Sequence, residues 1–178
     1  MNADHVDEII AQWHQERPDV DVSGMAIIGR ISRLERLIRP RLDAVFAAHG
    51  LESWEFDVLA TLLRSGAPHQ LTPGRLIESM MITSGAMTNR IDRLENRGFV
   101  TRVKNPADGR QVLVELTESG LRTVDAALVD HAANERVITS ALDPDQRDQL
   151  IDLLRTLHHA VVDGRSADNT AEYLSRRR

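Results

Sequence analysis

Residues 71–120 read LTPGRLIESMMITSGAMTNRIDRLENRGFVTRVKNPADGRQVLVELTESG. Two short runs with helical spacing come first, and two β-rich runs joined by a basic turn follow. Thr72 suits an N-cap and Pro73 the first helical position, where a missing N–H costs nothing. Leu76, Ile77 and Met80 give that helix a short apolar face, and Met81 with Ile82 forms an apolar connection. Thr83 or Ser84 caps a second helix, whose core stripe is Met87, Ile91 and Leu94 at i, i+4, i+7. Gly98 stops it, as glycine does just past a helix end.

The opposite face of the second helix carries Ser84, Thr88, Asn89, Asp92 and Arg93. Short polar and forked side chains of this kind suit major-groove edges, where arginine pairs with guanine and asparagine with adenine. Val100 to Lys104 and Gln111 to Leu116 alternate and read as a hairpin, with Asn105, Pro106 and Gly109 at its tip. Arg102, Lys104 and Arg110 make it cationic, and such a tip can lay an arginine along a phosphate or into a narrow minor groove. Asp108 repels DNA and is expected to orient a wing arginine. Thr72 and Thr83, at the two helix starts, complete the candidate DNA-binding set. The pattern is a winged helix-turn-helix that reads double-stranded DNA.

The segments SGAMTNRIDRLENRGFVTRVKNPADGR and LTESG, with EFDVLATL upstream, resemble the MarR family of transcriptional regulators. The likeness covers roughly residues 25 to 160. It implies a homodimer that binds a pseudo-palindromic operator and is released by a small ligand.

The 178 residues suffice for one domain-sized unit with helical extensions. Aromatics are scarce, so Leu, Ile, Val and Ala build the core. The absence of cysteine excludes disulfides, thiolate metal sites and thiol-based redox sensing. No signal peptide or apolar run of membrane length is present, and a cytoplasmic location is expected. The net charge of −5 is unusual for a DNA binder, but its distribution is not uniform. Residues 69–114 hold seven Lys or Arg against four Asp or Glu, so the basic charge is concentrated where DNA is expected.

Outside that segment the chain reads as helices. Residues 3–17 form a first one, with Val6, Ile9, Ile10 and Trp13 on its apolar face and Pro18 beyond its end. A long amphipathic helix follows over about residues 24–49, and Pro40 inside it predicts a kink or break near Arg39. Residues 52–64 form the next. After the wing, one helix runs from Thr117 to about Ala141, and another is capped by Asp143 and Pro144. Leu150, Leu153, Leu154, Leu157 and Val161 line the buried side of the last. The expected division is residues 1–50 for dimerisation and ligand pocket, 51–117 for DNA, 118–163 for dimerisation, and 164–178 as a polar basic tail ending in Arg176, Arg177 and Arg178. The architecture is therefore mostly α with a small β-hairpin wing, flanked by N- and C-terminal dimerisation helices.

Arg90 falls near the inward edge of the reading helix, where a guanidinium needs a partner or water. Asp57, on the helix packed behind, is the candidate partner. Trp13 and Arg17 share one face of the first helix at i, i+4. Together with EFDVL and MTNRID, they resemble the urate-responsive branch of the family. That likeness implies an effector site in which Trp13 stacks on a planar ring and Arg17 pairs with an anionic oxygen. It also implies that Asp57 is displaced and that Arg90 moves the reading helix. No catalytic residues are expected: nucleophile elbow, phosphate-binding glycine loop and HExxH are all lacking. No cofactor and no metal ligand set is expected either. Alternatives are a zinc-responsive regulator of the same fold, using some of seven scattered histidines, and a DNA-binding protein without effector.

Overall fold

The computed structural model describes residues 3–80 and 83–163. Met81, Ile82 and the 164–178 tail with its terminal arginines lie outside the described residues. The helix α1 (His5–Glu16) starts in a capping box: the Asp4 carboxylate accepts from the Val6 and Asp7 N–H groups, and Asp7 accepts from the Asp4 N–H. Arg30 of α2 (Ser23–Ala48) donates to both Asp4, at 2.9 Å, and Asp7, at 2.6 Å. The buried Val6 packs beside Gly29 of α2. Of the kink or break expected near Arg39, there is no break: α2 runs on through Pro40. The carbonyl that loses its donor is that of Arg36, and both Arg36 and Pro40 are exposed, where solvent can replace the lost bond.

A turn at Gly50, with φ of +68°, leads into α3 (Ser53–Arg64). The reading motif follows as expected. Thr72 caps α4 (Pro73–Met80), its Oγ1 accepting from the Arg75 N–H at 3.2 Å. Thr83 caps α5 (Ser84–Asn96) and Gly98, at φ +72°, ends it. The expected two-stranded wing is a three-stranded antiparallel sheet. A short strand β1 (Gln70–Leu71) joins β2 (Val100–Lys104) and β3 (Val112–Leu116) in the order β1-β3-β2. In register, Arg102 lies opposite Val114 and Leu71 lies on the other side of it.

The core forms where α3, α4, α5 and the sheet meet. Val58, Leu59, Leu62, Leu76, Met87, Ile91, Leu94, Val100 and Val114 are closed to solvent, and Val124 and Ala127 join them from α6 (Glu118–Ile138). The start of α6 sits on the end of α5: Thr117 Oγ1 donates to the Gly98 carbonyl at 2.6 Å and accepts from the Gly120 N–H. Phe46 and Phe56 stack at 4.4 Å with the His131 ring against both, and His49 pairs with Asp130 at 2.8 Å, so α2, α3 and α6 are tied together.

The chain divides into two compact units, Met1–Asn134 and Glu135–Arg178, a division that falls inside α6. In the second, Asp143 and Gln146 form a reciprocal capping box that starts α7 (Pro144–Val162). None of the residues of α7 is buried. Leu150, Leu153, Leu154 and Val161, expected on a buried side, are exposed in the single chain. No helix among the described residues is long and apolar enough to cross a membrane.

Candidate nucleic-acid interface and effector site

The reading helix α5 has four sides, and its charges are sorted among them. Met87, Ile91 and Leu94 face the core. Arg90, Arg93 and Arg97, spaced i, i+3, i+7, run along the flank that faces α3. There Arg93 pairs with Glu52 at 2.5 Å, and its guanidinium lies 4.6 Å above the Trp54 ring. Arg90 lies over the same ring at 5.4 Å. Arg97 pairs with the fully buried Glu55, donates to the Gly50 carbonyl at 2.7 Å and covers the Phe99 ring. The other flank is acidic. Asp92 and Glu95 there both bind Arg102 of the wing.

The outward side is left to Ser84, Thr88 and Asn89, all exposed. Thr88 Oγ1 donates back to the Ser84 carbonyl at 3.1 Å. Among the described residues, the side chains of Lys104 and Arg110 have no ion-pair partner, and both are exposed. The wing tip is built by local bonds: Asn105 Oδ1 accepts from the Ala107 N–H, and Asp108 Oδ1 accepts from the Arg110 N–H at 3.1 Å. Asp108 thus holds the backbone that carries Arg110. Of the sequence-predicted DNA set, Ser84, Thr88, Asn89, Lys104 and Arg110 are open to a ligand. Thr72 and Thr83 are occupied as caps, while Arg93 and Arg102 are engaged by carboxylates.

For the effector set, the structure brings Asp57 and Arg90 within electrostatic reach but not into an ion pair. Asp57 is exposed at the surface, yet partial burial of its carboxyl raises it above its ordinary value; the fields of Arg90, then Arg39, His131 and Arg64, act against that rise. Arg90 takes the Trp54 face in place of a carboxylate. Trp13 and Arg17 sit at the end of α1, both exposed, with Arg17 bonded to Asp19 at 2.7 Å. No described contact joins them to Asp57 or Arg90. An apolar groove of about 510 Å³ opens between α1 and α2, bounded by Val6, Ile10, Met25 and Ile28, and none of the four effector candidates lines it. No cluster of three or more His, Asp or Glu that could hold a metal occurs among the described residues.

Sequence reasoning missed Glu52, Trp54, Glu55 and Arg97 as parts of this assembly. The E-x-x-E spacing at the start of α3 was a signal for the first and third, because the Glu52 N–H donates to Glu55 Oε2 at 2.9 Å.

Residues 49–111 match the MarR family. Over 160 residues the chain is 38% identical to the HTH-type transcriptional regulator PecS of Dickeya dadantii, which spans 90% of this chain and 96% of PecS. The fold is similar to that of Sco5413, a MarR family transcriptional regulator from Streptomyces coelicolor, with TM-score 0.67, 29% identity, and 80% and 97% of the two chains covered. In fold alone it is also similar to a mutant MarR from E. coli complexed with operator DNA, with TM-score 0.65 at 24% identity, over 82% of this chain and 96% of that one. These relatives are transcription regulators and not enzymes. With nine-tenths of its length aligned to PecS, the chain belongs to the MarR family of winged helix-turn-helix transcriptional regulators.

Proposed function

We propose that the chain is a homodimeric repressor of a pseudo-palindromic operator, released by a small planar anion of the urate class. Helix α5 enters the major groove with Ser84, Thr88 and Asn89 toward base edges, and Lys104 and Arg110 of the wing hold the backbone. The exposed apolar residues of α2 (Ile27, Ile28, Ile31, Leu34) and of α7 supply surface for a two-fold interface. The effector acts at Asp57 and Arg90, with Trp13 and Arg17 closing over it. The observation that carries this is the setting of Arg90. It belongs to the reading helix, yet its guanidinium faces α3, over Trp54 and in the field of Asp57, whose carboxyl is held above its ordinary value. An anion entering there competes for that arginine and changes how α5 rests on α3. Release follows only if the anion binds the DNA-free arrangement better.

The test is an anisotropy titration of an operator duplex, with and without urate, for the wild type and Arg90→Leu. The wild type is expected to lose at least about tenfold in affinity, a coupling of ordinary size for two linked sites. Arg90→Leu is expected to bind operator and ignore urate. A full response in that variant removes Arg90 from the mechanism.

Two further outcomes follow from the same residues. Arg110→Ala weakens operator and random duplexes by the same factor, and the slope of log K against log salt falls by about 0.9 per protomer. Loss of discrimination at one base pair with an unchanged slope contradicts that role. For Asp57, a folded pKa above the unfolded one means that the native state holds the proton to higher pH. Its contribution is therefore most favourable in acid and is lost as pH rises from the ordinary aspartate value through the raised one. Asp57→Asn is expected to flatten that decline, leaving the melting temperature at neutral pH equal to or above that of the wild type. A lower melting temperature at neutral pH rules out desolvation as the dominant influence.

A further inference from the structure

We propose that Arg102 is a positioning residue for DNA recognition: it is a strut between wing and reading helix, and it does not contact phosphate. Its guanidinium spans two carboxylates spaced i, i+3 on the acidic flank of α5, with Nη2 2.5 Å from Asp92 Oδ1 and Nη1 bonded to Glu95 Oε2. Its backbone N–H donates to the other Glu95 oxygen at 3.1 Å. Glu95 thus receives both the side chain and the backbone of one residue.

This geometry has a mechanical reading. Strand β2 is an outer strand of the sheet, and the Arg102 N–H points to its open edge, where Glu95 caps it. Along the chain, α5 and β2 are joined only by the turn Arg97-Gly98-Phe99. Beyond the core shared through Val100, Arg102 adds a polar tie three residues past that turn, which restrains hinging of the wing about Gly98. The distance between the groove-facing side of α5 and the Arg110 tip is fixed as a result.

The electrostatics agree. To reach phosphate, Arg102 must give up two charge-assisted bonds and leave two bare carboxylates beside DNA. Held as a strut, it screens them instead. The Arg102 side chain is one-third exposed, whereas Lys104 and Arg110 carry free charge at the wing surface.

The inference rests on the chain binding DNA, and the experiment keeps that reading separate. The 178-residue chain is titrated with its selected operator and with random duplex across a salt series. The variants are Arg102→Gln, Asp92→Asn with Glu95→Gln, and all three changes together; circular dichroism melts accompany each. Failure of the wild type to prefer any duplex sinks the DNA reading itself. Given a wild-type preference, Arg102→Gln is expected to keep the wild-type salt slope and lose at least about tenfold in discrimination between operator and random duplex. The double carboxylate variant removes negative charge near DNA, yet is expected to lose discrimination too. The triple variant is expected to be little worse than either, as for residues acting as one unit. A slope reduced by about 0.9 per protomer in Arg102→Gln, with discrimination kept, makes Arg102 a phosphate contact and overturns the proposal. Tighter operator binding by the carboxylate variant with discrimination kept does the same, as does no change in any variant. If Arg102→Gln does not fold, the carboxylate variant, which retains Arg102, decides alone.

Discussion

Gly120→Ala is expected to be the most damaging single methyl group that can be added to this chain. A Cβ at Gly120 would lie 2.0 Å from the Phe99 carbonyl oxygen and 2.9 Å from its carbon, both backbone atoms. No rotamer relieves such a clash, so the first turn of α6 must lift away from the end of α5. That movement breaks the bonds through which Thr117 ties Gly98 and Phe99 to the helix start. It also disturbs the packing of Val124 and Ala127, one and two turns later on the same face. The cost is expected at or above the usual limit for overpacking, about 3 kcal/mol. Gly74→Ala is the matched control: its new methyl group would meet only Thr72 Oγ1 at 3.9 Å. It is expected to be neutral, or to stabilise by up to about 1 kcal/mol through helix propensity. Urea unfolding of both variants checks the pair, and a Gly120→Ala loss under about 1 kcal/mol contradicts the close approach.

The second large effect is expected at the buried end of the α3–α5 joint. Glu55 is fully buried, and Arg97 neutralises it while remaining partly exposed. Arg97→Ala leaves that carboxylate buried without a countercharge. Breaking such a pair costs about 3–5 kcal/mol, and the solvent at Arg97 argues for the lower end. For a domain of this size the melting temperature then falls by roughly 6–12 °C. Loss of the cation also removes its bonds to the Gly50 carbonyl and its cover over Phe99. A second change separates these effects. Adding Glu55→Gln removes the buried charge while keeping an acceptor for the Glu52 N–H, so more than half of the loss is expected to return. Arg122→Ala, which breaks an exposed i, i+4 pair with Glu118, is expected to cost under about 0.5 kcal/mol. Equal effects for Arg97→Ala and Arg122→Ala contradict the account of Glu55.

What was legible in the sequence was whatever local chemistry dictates. Thr72, Thr83 and Asp143 cap the helices where short polar residues were expected to do so, and Gly98 ends the reading helix in the left-handed conformation. The Met87, Ile91, Leu94 stripe is fully buried. Strand β1 was not legible, because two residues carry no periodicity and Gln70 and Leu71 form a strand through pairing with the distant Glu115 and Val114. Pro40 shows the limit of a local rule: it does not end α2, whose neighbouring residues Arg36 and Arg39 are exposed.

The candidate site divides in the same manner. That Arg90 lies at the edge of the core followed from helical spacing, but its neighbour did not. Trp54 and Asp57 are i, i+3 on one face of α3, and the ring reaches the guanidinium where the carboxylate does not. Arg93 and Arg102 look alike in a sequence, as exposed cations near a reading helix. Their partners, Glu52 at 41 residues' separation and the Asp92–Glu95 pair across the wing, are set by tertiary packing alone. Part of the basic charge counted toward DNA between residues 69 and 114 is therefore spent inside the protein.

The most direct test is selection of the 178-residue chain against a library of random duplexes, followed by sequencing of the retained DNA. Enrichment of one pseudo-palindrome is expected, with half-sites about one helical turn apart, matching a two-fold dimer with α5 in successive major grooves. Recovery of an unsymmetrical site, or of no preferred sequence at all, contradicts it.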